Sequence, residues 1–434
     1  MTLTEIKEKL LRTLEENKEE IFRIGDTVQQ HPERGYTEEK TSALVRGVFE
    51  TLSIPYDYPC AYTGVKGKIK GRKSLANVCI IGEMDALKCV GSPIADREGN
   101  AHACGHHAQI AAMLAAAIAF SKSGVMAALD GEVTFLAAPA EEFIDMEFRK
   151  SLKQDGKIRY YGGKQQLIAE GVFDDVDMAM MVHAQPEEKN AKFYLEGKNL
   201  GFLAKNITFL GRAVHGSTPF DGVNALNAAA LAILGIHANR ETFREEEKIR
   251  IHPIITKGGD VVNAVPDEVC VSTYVRGASF AAIQKGNHAV ERAVRGAAET
   301  VGATAKTEDI PGYLPLKEST ALSKVFEENA KALVGENSLV YGEDITGSSD
   351  IGDLSSLLPT IQPSVGGFDG LLHSKEFCVA NRETAYLLPA KAMALTAAEL
   401  LYHEAEKAKA VKDRFRPQMS KEAYINYLEG KMEK

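Results

Sequence analysis

No stretch of the 434-residue chain approaches the ~18 consecutive apolar residues of a membrane-spanning helix, so no membrane partner is expected. Basic residues are outnumbered: 51 Lys and Arg against 60 Asp and Glu leave a formal charge of −9. That balance argues against nucleic acid as the main partner and leaves no polybasic patch for a membrane surface. Cysteine is sparse, with Cys60, Cys79, Cys89, Cys104, Cys270 and Cys378 too scattered for a disulfide framework. Repeats and low-complexity tracts are absent. The first twenty residues are densely charged with apolar positions at helical spacing, unlike a secretory signal, and the expected compartment is the cytoplasm.

What is present is an ordinary globular composition, 44% hydrophobic and 26% charged, in a chain too long for one typical core. Helical periodicity predicts two N-terminal helices over roughly 3–30 and 37–52. Short apolar runs follow, "NVCIIGEMDA", "VTFLAAPAEE" and "MAMMVHAQP", each ending in polar residues. Between the first two lies an alanine-rich helical stretch closed by Gly124. This alternation predicts an α/β fold, a catalytic domain with a mixed, largely parallel sheet. From about residue 198 the texture becomes β-α-β-β-α-β, the ferredoxin-like pattern of an inserted α+β domain. The expected organisation is 1–197 and 313–434 as two parts of one domain, with 198–312 inserted. The second part carries a helix near 318–334, the glycine-rich "TGSSDIGD", the loop "GGFDGLLHSKEF" and a helix around 384–408.

The chemistry concentrates in "NAHACGHHAQ" and in the polar residues that end the apolar runs: Asp85, Glu141, Glu142 and His183. In an open α/β sheet ligands bind outside the carboxyl ends of the strands, so these groups are expected to converge on one crevice. Cys104 and His106 are two apart, which does not share a helix face, so both reach one site only from an irregular segment, and Gly105 permits the turn. Thiolate and imidazole together suit zinc or a similar first-row ion. A buried cysteine beside a capping histidine is the alternative. The adjacent carboxylates Glu141 and Glu142 point in different directions, so one can bind metal while the other serves as general base toward a metal-activated water. Glutamates favoured by a helix N-terminus would look the same. His183 alone reads as a core histidine and His373 as a surface one; the set together points to metal.

The ordered motifs "HPERGYTEEKTS", "GEMDAL", "HACGHHAQIAAMLAAA", "APAEE", "GRAVHGSTPFDGVNALNAAA", "GGDVVNAVPDE" and "GLLHSKEF" resemble the aminoacylase-type metallo-amidohydrolases. That family includes hippurate, indole-acetyl-amino-acid and aminobenzoyl-glutamate hydrolases, and the resemblance spans about 22–405. It implies two divalent ions, manganese or zinc, with Cys104, His106, Glu142, His183 and His373 as ligands and Glu141 as acid/base. Asp85 would orient a ligand from behind. The insert would be a lid and dimerisation domain, from which His215 reaches across a homodimer interface to the substrate carbonyl. Asn263 and Arg276 would bind the substrate carboxylate, a role suited to arginine.

The chain departs from the family pattern at His107, where an acid or amide is usual, and at Gln109, where a further histidine is usual. His107 beside the metals would hydrogen-bond or ligate. The expected reaction is hydrolysis of the amide in a small N-acyl amino acid or an aminobenzoyl-glutamate-like conjugate. Rivals are a dipeptidase on the same scaffold, a Cys104 nucleophile with His106 or His107 as base, and a binding protein that has lost catalysis.

Overall fold

The structure, a computed structural model, describes residues 1–188, 191–342 and 347–431. Thr346 of the glycine-rich stretch lies outside the described residues. Two compact units emerge. The first holds Met1–Lys198 and Asp353–Lys421 with 317–342; the second holds Asn199–Leu316 with 347–352 and 422–431.

The first unit is built on a six-stranded sheet in the order Tyr56–Cys60, Gly64–Lys70, Glu132–Ala138, Asn77–Glu83, Met178–Met180 and Thr360–Ile361. The last four strands are parallel and the first two antiparallel to their neighbours, as the mixed, largely parallel expectation has it. All seven residues of Asn77–Glu83 are buried, which explains its unbroken apolar run. Against it packs the helix His106–Lys122, buried from His106 through Phe120. Its small alanines permit close approach: a side chain at Gly82 would stand 2.8 Å from the Gln109 carbonyl oxygen.

Three local expectations are corrected. The first predicted helix is two, Leu3–Glu16 and Lys18–Gln29. Asn17 separates them, its amide bonded to the Thr13 carbonyl, because a short polar side chain competes with helical bonding. "MAMMVHAQP" is also two elements: Met178–Met180 stays in the large sheet, while His183–Pro186 pairs with Ser364–Asp369 in a second, five-stranded sheet. The C-terminal helix is Leu388–Leu401, led in by a π-helical turn Glu383–Leu387, with Glu406–Arg414 separate. The break lies at Asp130, whose N–H donates to the Leu401 carbonyl and whose carboxylate accepts the Glu404 N–H.

The second unit is an antiparallel sheet with Glu268–Gly277 beside Gly201–Leu210, which pairs in turn with Thr304–Pro311. Arg250–Ile251 and Ile254–Lys257 share the outer side of Glu268–Gly277. Helices Ala225–Ala238 and Phe280–Val301 complete the β-α-β-β-α-β order, and a separate core joins Ile207, Phe209, Ala229, Val271 and Val290. The inserted ferredoxin-like domain is therefore present.

Candidate metal centre

Four segments of the first unit meet at one point. Gly105 has φ 82°, a left-handed conformation that turns the chain between Cys104 and the first helical residue, His106. A side chain at Gly105 would stand 2.4 Å from Ala184 Cβ, so glycine also lets this turn touch the strand that carries His183. The distant loop is tied in by the His373 N–H, which donates to the Ala103 carbonyl at 2.8 Å.

The side chains converge accordingly. Cys104 Sγ lies 3.5 Å from His183 Nε2 and 3.3 Å from His373 Nε2, and His373 Nε2 lies 3.3 Å from Glu142 Oε1. Two donor groups sharing the thiol result, Cys104–His106–His183 and Cys104–Glu142–His373, each with its donor atoms within 4.8 Å of one another. The expected different directions of the glutamate doublet are observed: Glu142 faces His373 while Glu141 Oε2 stands 3.9 Å from His106 Nε2. Ala140 before the doublet has φ 54°, and its N–H donates to the buried Glu38.

Asp85 sits behind the cluster. His106 Nδ1 lies 2.8 Å from the Asp85 carbonyl and 3.2 Å from its Oδ1, while Oδ2 accepts the Glu142 N–H at 2.9 Å. Burial alone would raise the Asp85 carboxyl, but the His106 contact and the Glu142 N–H hold it down at about 2. Burial alone would likewise raise the Cys104 thiol, but the imidazoles of His183 and His106 pull it well below its ordinary value. The sulfur is thus held as thiolate, the form that binds metal. His106 Nε2 and Glu142 Oε1 are buried without a hydrogen bond, aimed inward. Thiolate, imidazole and carboxylate donors with open lone pairs fit divalent first-row ions.

His107 turns away. One helical step from His106, its buried ring packs on His102 and Tyr386 with ring centroids 5.4 and 5.8 Å away, and Nε2 lies 3.4 Å from the Gln29 amide. The hydrogen bond expected of it is thus made to Gln29, and it belongs to none of the donor groups found among the described residues. Burial depresses the His107 imidazole well below its usual value, so it is neutral.

Residues 198–301 match the M20 peptidase dimerisation domain. The human Xaa-Arg dipeptidase is 27% identical over 98% of this chain and 95% of its own length. The Arabidopsis thaliana IAA-amino acid hydrolase ILR1-like 2 is 26% identical over 78% of this chain and 75% of its own. A Bacillus subtilis crystal structure, described as a dinuclear metal-binding peptidase from the M20 family, superposes with a TM-score of 0.70 at 23% identity, covering 88% of this chain and 98% of that one. Over nearly its whole length the chain is therefore similar to M20 metallohydrolases, and residues 198–301 carry their dimerisation domain.

Three buried residues of the site escaped the sequence reading. Glu83 Oε2 lies 3.2 Å from His106 Nε2. Lys164 donates to Glu83 Oε1 at 2.5 Å. Arg149 donates to the carbonyls of Tyr161, at 2.6 Å, and Glu142, and so fixes the backbone of the doublet. A period-two reading of "GEMD" puts Glu83 and Asp85 on one side of the strand end, a signal that was available; nothing local marks Lys164 or Arg149.

The other predicted residues lie in the second unit. His215 is exposed and its Nδ1 accepts the Ser217 N–H at 3.1 Å, with Ser217 Oγ at 2.7 Å. Asn263 is exposed, and its carbonyl accepts the Gly216 N–H at 2.7 Å, which brings it beside the His215 loop. Arg276 donates to Ser348 Oγ at 2.8 Å and stacks over the rings of Phe202 and Tyr274, each 5.5 Å away.

Proposed function

We propose that this protein hydrolyses the amide bond of a small N-acyl amino acid or an aminobenzoyl-glutamate-like conjugate, working as a homodimer with two divalent ions, manganese or zinc. The observation that carries the reading is the pair of donor groups joined at Cys104, with Glu141 beside them. The residues that would hold the ions are Cys104, His106, Glu142, His183 and His373. Ions held there would supply Lewis acidity and lower the pKa of water.

Glu141 takes the proton of the attacking water and passes it to the leaving amine. Asp85 fixes the tautomer and direction of His106 through Nδ1. On His215 the Ser217 N–H occupies Nδ1 as acceptor, which assigns the ring proton to Nε2. Nε2–H is then a donor for the carbonyl oxygen as it gains charge, supplied across the dimer interface. Arg276, held by Ser348 and two aromatic faces, suits a substrate carboxylate, with Asn263 as a second polar contact.

Glu141→Gln tests the assignment. Two-ion binding and cooperative unfolding should persist while turnover falls ~10²–10⁴-fold, the usual worth of a general base. Near-normal turnover would remove Glu141 from the mechanism. A dipeptidase reading is favoured by the human relative, whose name refers to dipeptides and which aligns with 98% of this chain. Comparing a free dipeptide with its N-acetylated form decides between the two, because only a dipeptidase requires the free amine.

A further inference from the structure

We propose that Glu83 is a further donor of the metal centre, binding the cation at His106, with Lys164 and Gln109 as the residues that position it; this rests on the two-cation reading above. The two ring nitrogens of His106 have separate neighbours. Nδ1 is taken by Asp85, through the main-chain carbonyl at 2.8 Å and Oδ1 at 3.2 Å. Nε2 is therefore the nitrogen that faces an ion, and it makes no hydrogen bond. Glu83 Oε2 lies on that side, 3.2 Å from Nε2. Donors about 2.1 Å from one ion and at right angles stand roughly 3 Å apart. The separation matches the other edges of the centre, Cys104 to His373 at 3.3 Å and His373 to Glu142 at 3.3 Å. Glu83, His106 and Glu141 form the third group of close donor atoms found among the described residues.

The carboxylate is held rather than loose. Gln109 Nε2 donates to Glu83 Oε2 at 2.8 Å, and Gln109 Oε1 accepts the Glu83 N–H at 3.2 Å. Lys164 Nζ donates to Oε1 at 2.5 Å, and both partners are fully buried. An oxygen that accepts one hydrogen bond keeps a second lone pair, and ligating carboxylates are commonly hydrogen-bonded from behind in this way. A purely structural role accounts poorly for the pair. Two fully buried charges carry a desolvation cost that an apolar pair of the same volume avoids, and stability gives no reason to aim one of them at a ligand nitrogen. The glutamine at 109, a departure from the family pattern, thereby gains a function, since its amide bonds both the side chain and the main chain of Glu83.

A hard oxygen donor at this position favours manganese over zinc. The test is metal titration by calorimetry, with Mn²⁺ and Zn²⁺ in turn, of wild type and of the double variant E83Q/K164M, which removes both charges so that neither is stranded. The absorption spectrum of the Co²⁺-loaded proteins reports coordination independently of activity. Wild type should bind two ions. In the double variant the Kd of one Mn²⁺ should weaken at least ~10-fold, Zn²⁺ should lose less, and the Co²⁺ spectrum should change. E83D, which keeps the charge and shortens the reach, covers the case in which the double variant fails to fold, and it should show the same weakening of one Mn²⁺. Two ions bound with wild-type affinity and an unchanged Co²⁺ spectrum would overturn this inference alone. A wild type that binds no pair of ions would overturn the two-cation reading together with it.

Discussion

Replacing Asp85 by Asn probes how far the centre depends on a residue that need not touch metal. The two side chains have the same size, so packing is preserved and the change is one of charge and hydrogen bonding. Asp85 serves two neighbours, Oδ1 toward His106 Nδ1 at 3.2 Å and Oδ2 accepting the Glu142 N–H at 2.9 Å. An amide has one oxygen. The Glu142 N–H is buried and leaving it unpaired costs about 1–3 kcal/mol, so the amide oxygen will turn to it. The amide NH₂ then faces His106 Nδ1, whose proton still has the Asp85 main-chain carbonyl at 2.8 Å as acceptor. Orientation is therefore largely kept, and what is lost is the buried negative charge that makes His106 a stronger ligand. Loss of such a partner lowers metal affinity ~10–100-fold, about 1.4–2.7 kcal/mol. Competition with a chelator of known affinity measures it, with thermal unfolding of the metal-free protein as control. A Kd within threefold of wild type would refute the reasoning and reduce Asp85 to packing.

Gly105→Ala forces a side chain into a left-handed turn and against Ala184 Cβ at 2.4 Å; strain and overpacking together should cost about 2–5 kcal/mol in chemical denaturation, and a loss below about 1 kcal/mol would contradict the turn geometry. Burial pushes the Glu318 carboxyl up from 4.5 to about 7. Between those values the folded chain binds more protons than the unfolded one, so the group's contribution is most favourable below the unfolded value and falls by about 3 kcal/mol as pH rises through 7. Urea denaturation at pH 5 and pH 8 should show Glu318→Gln gaining stability relative to wild type at the higher pH, and parallel behaviour would exclude the shift. Leu231 and Leu234 are 38% and 65% exposed on Ala225–Ala238, and Ile254 and Ile255 of the same unit's edge strand are also exposed. The pair L231D/L234D should turn a dimer into a monomer in sedimentation velocity, and an unchanged dimer would remove this face from the interface.

Elements with a strong local signal were legible in the sequence alone. The alanine-rich helix follows from its composition and the closing Gly124, the buried central strand from its short unbroken apolar run, and the β-α-β-β-α-β order of the insert from periodicity and turn residues. Boundaries decided by distant contacts were not. The helix break after Leu401 depends on Asp130, far away in sequence, and the division of "MAMMVHAQP" depends on which sheet offers each half a partner strand. His107 shows an intermediate case. A helix starting at His106 already implies that its neighbour faces elsewhere, but only once the first helical residue is known.

Residue types by themselves determined which chemistry was available: a thiol, imidazoles and carboxylates in motifs that suit divalent ions, on a scaffold of α/β periodicity with an α+β insert. The tertiary structure decided which of those groups meet. It brought His373 to Cys104 across 269 positions, turned His107 aside, and aimed Glu83 at His106 with a buried lysine 81 positions away to hold it. The physical reason is that donor chemistry belongs to a side chain alone. A coordination shell, a buried charge and a perturbed proton affinity belong to distances of a few ångströms, and folding creates those between residues that no local pattern connects.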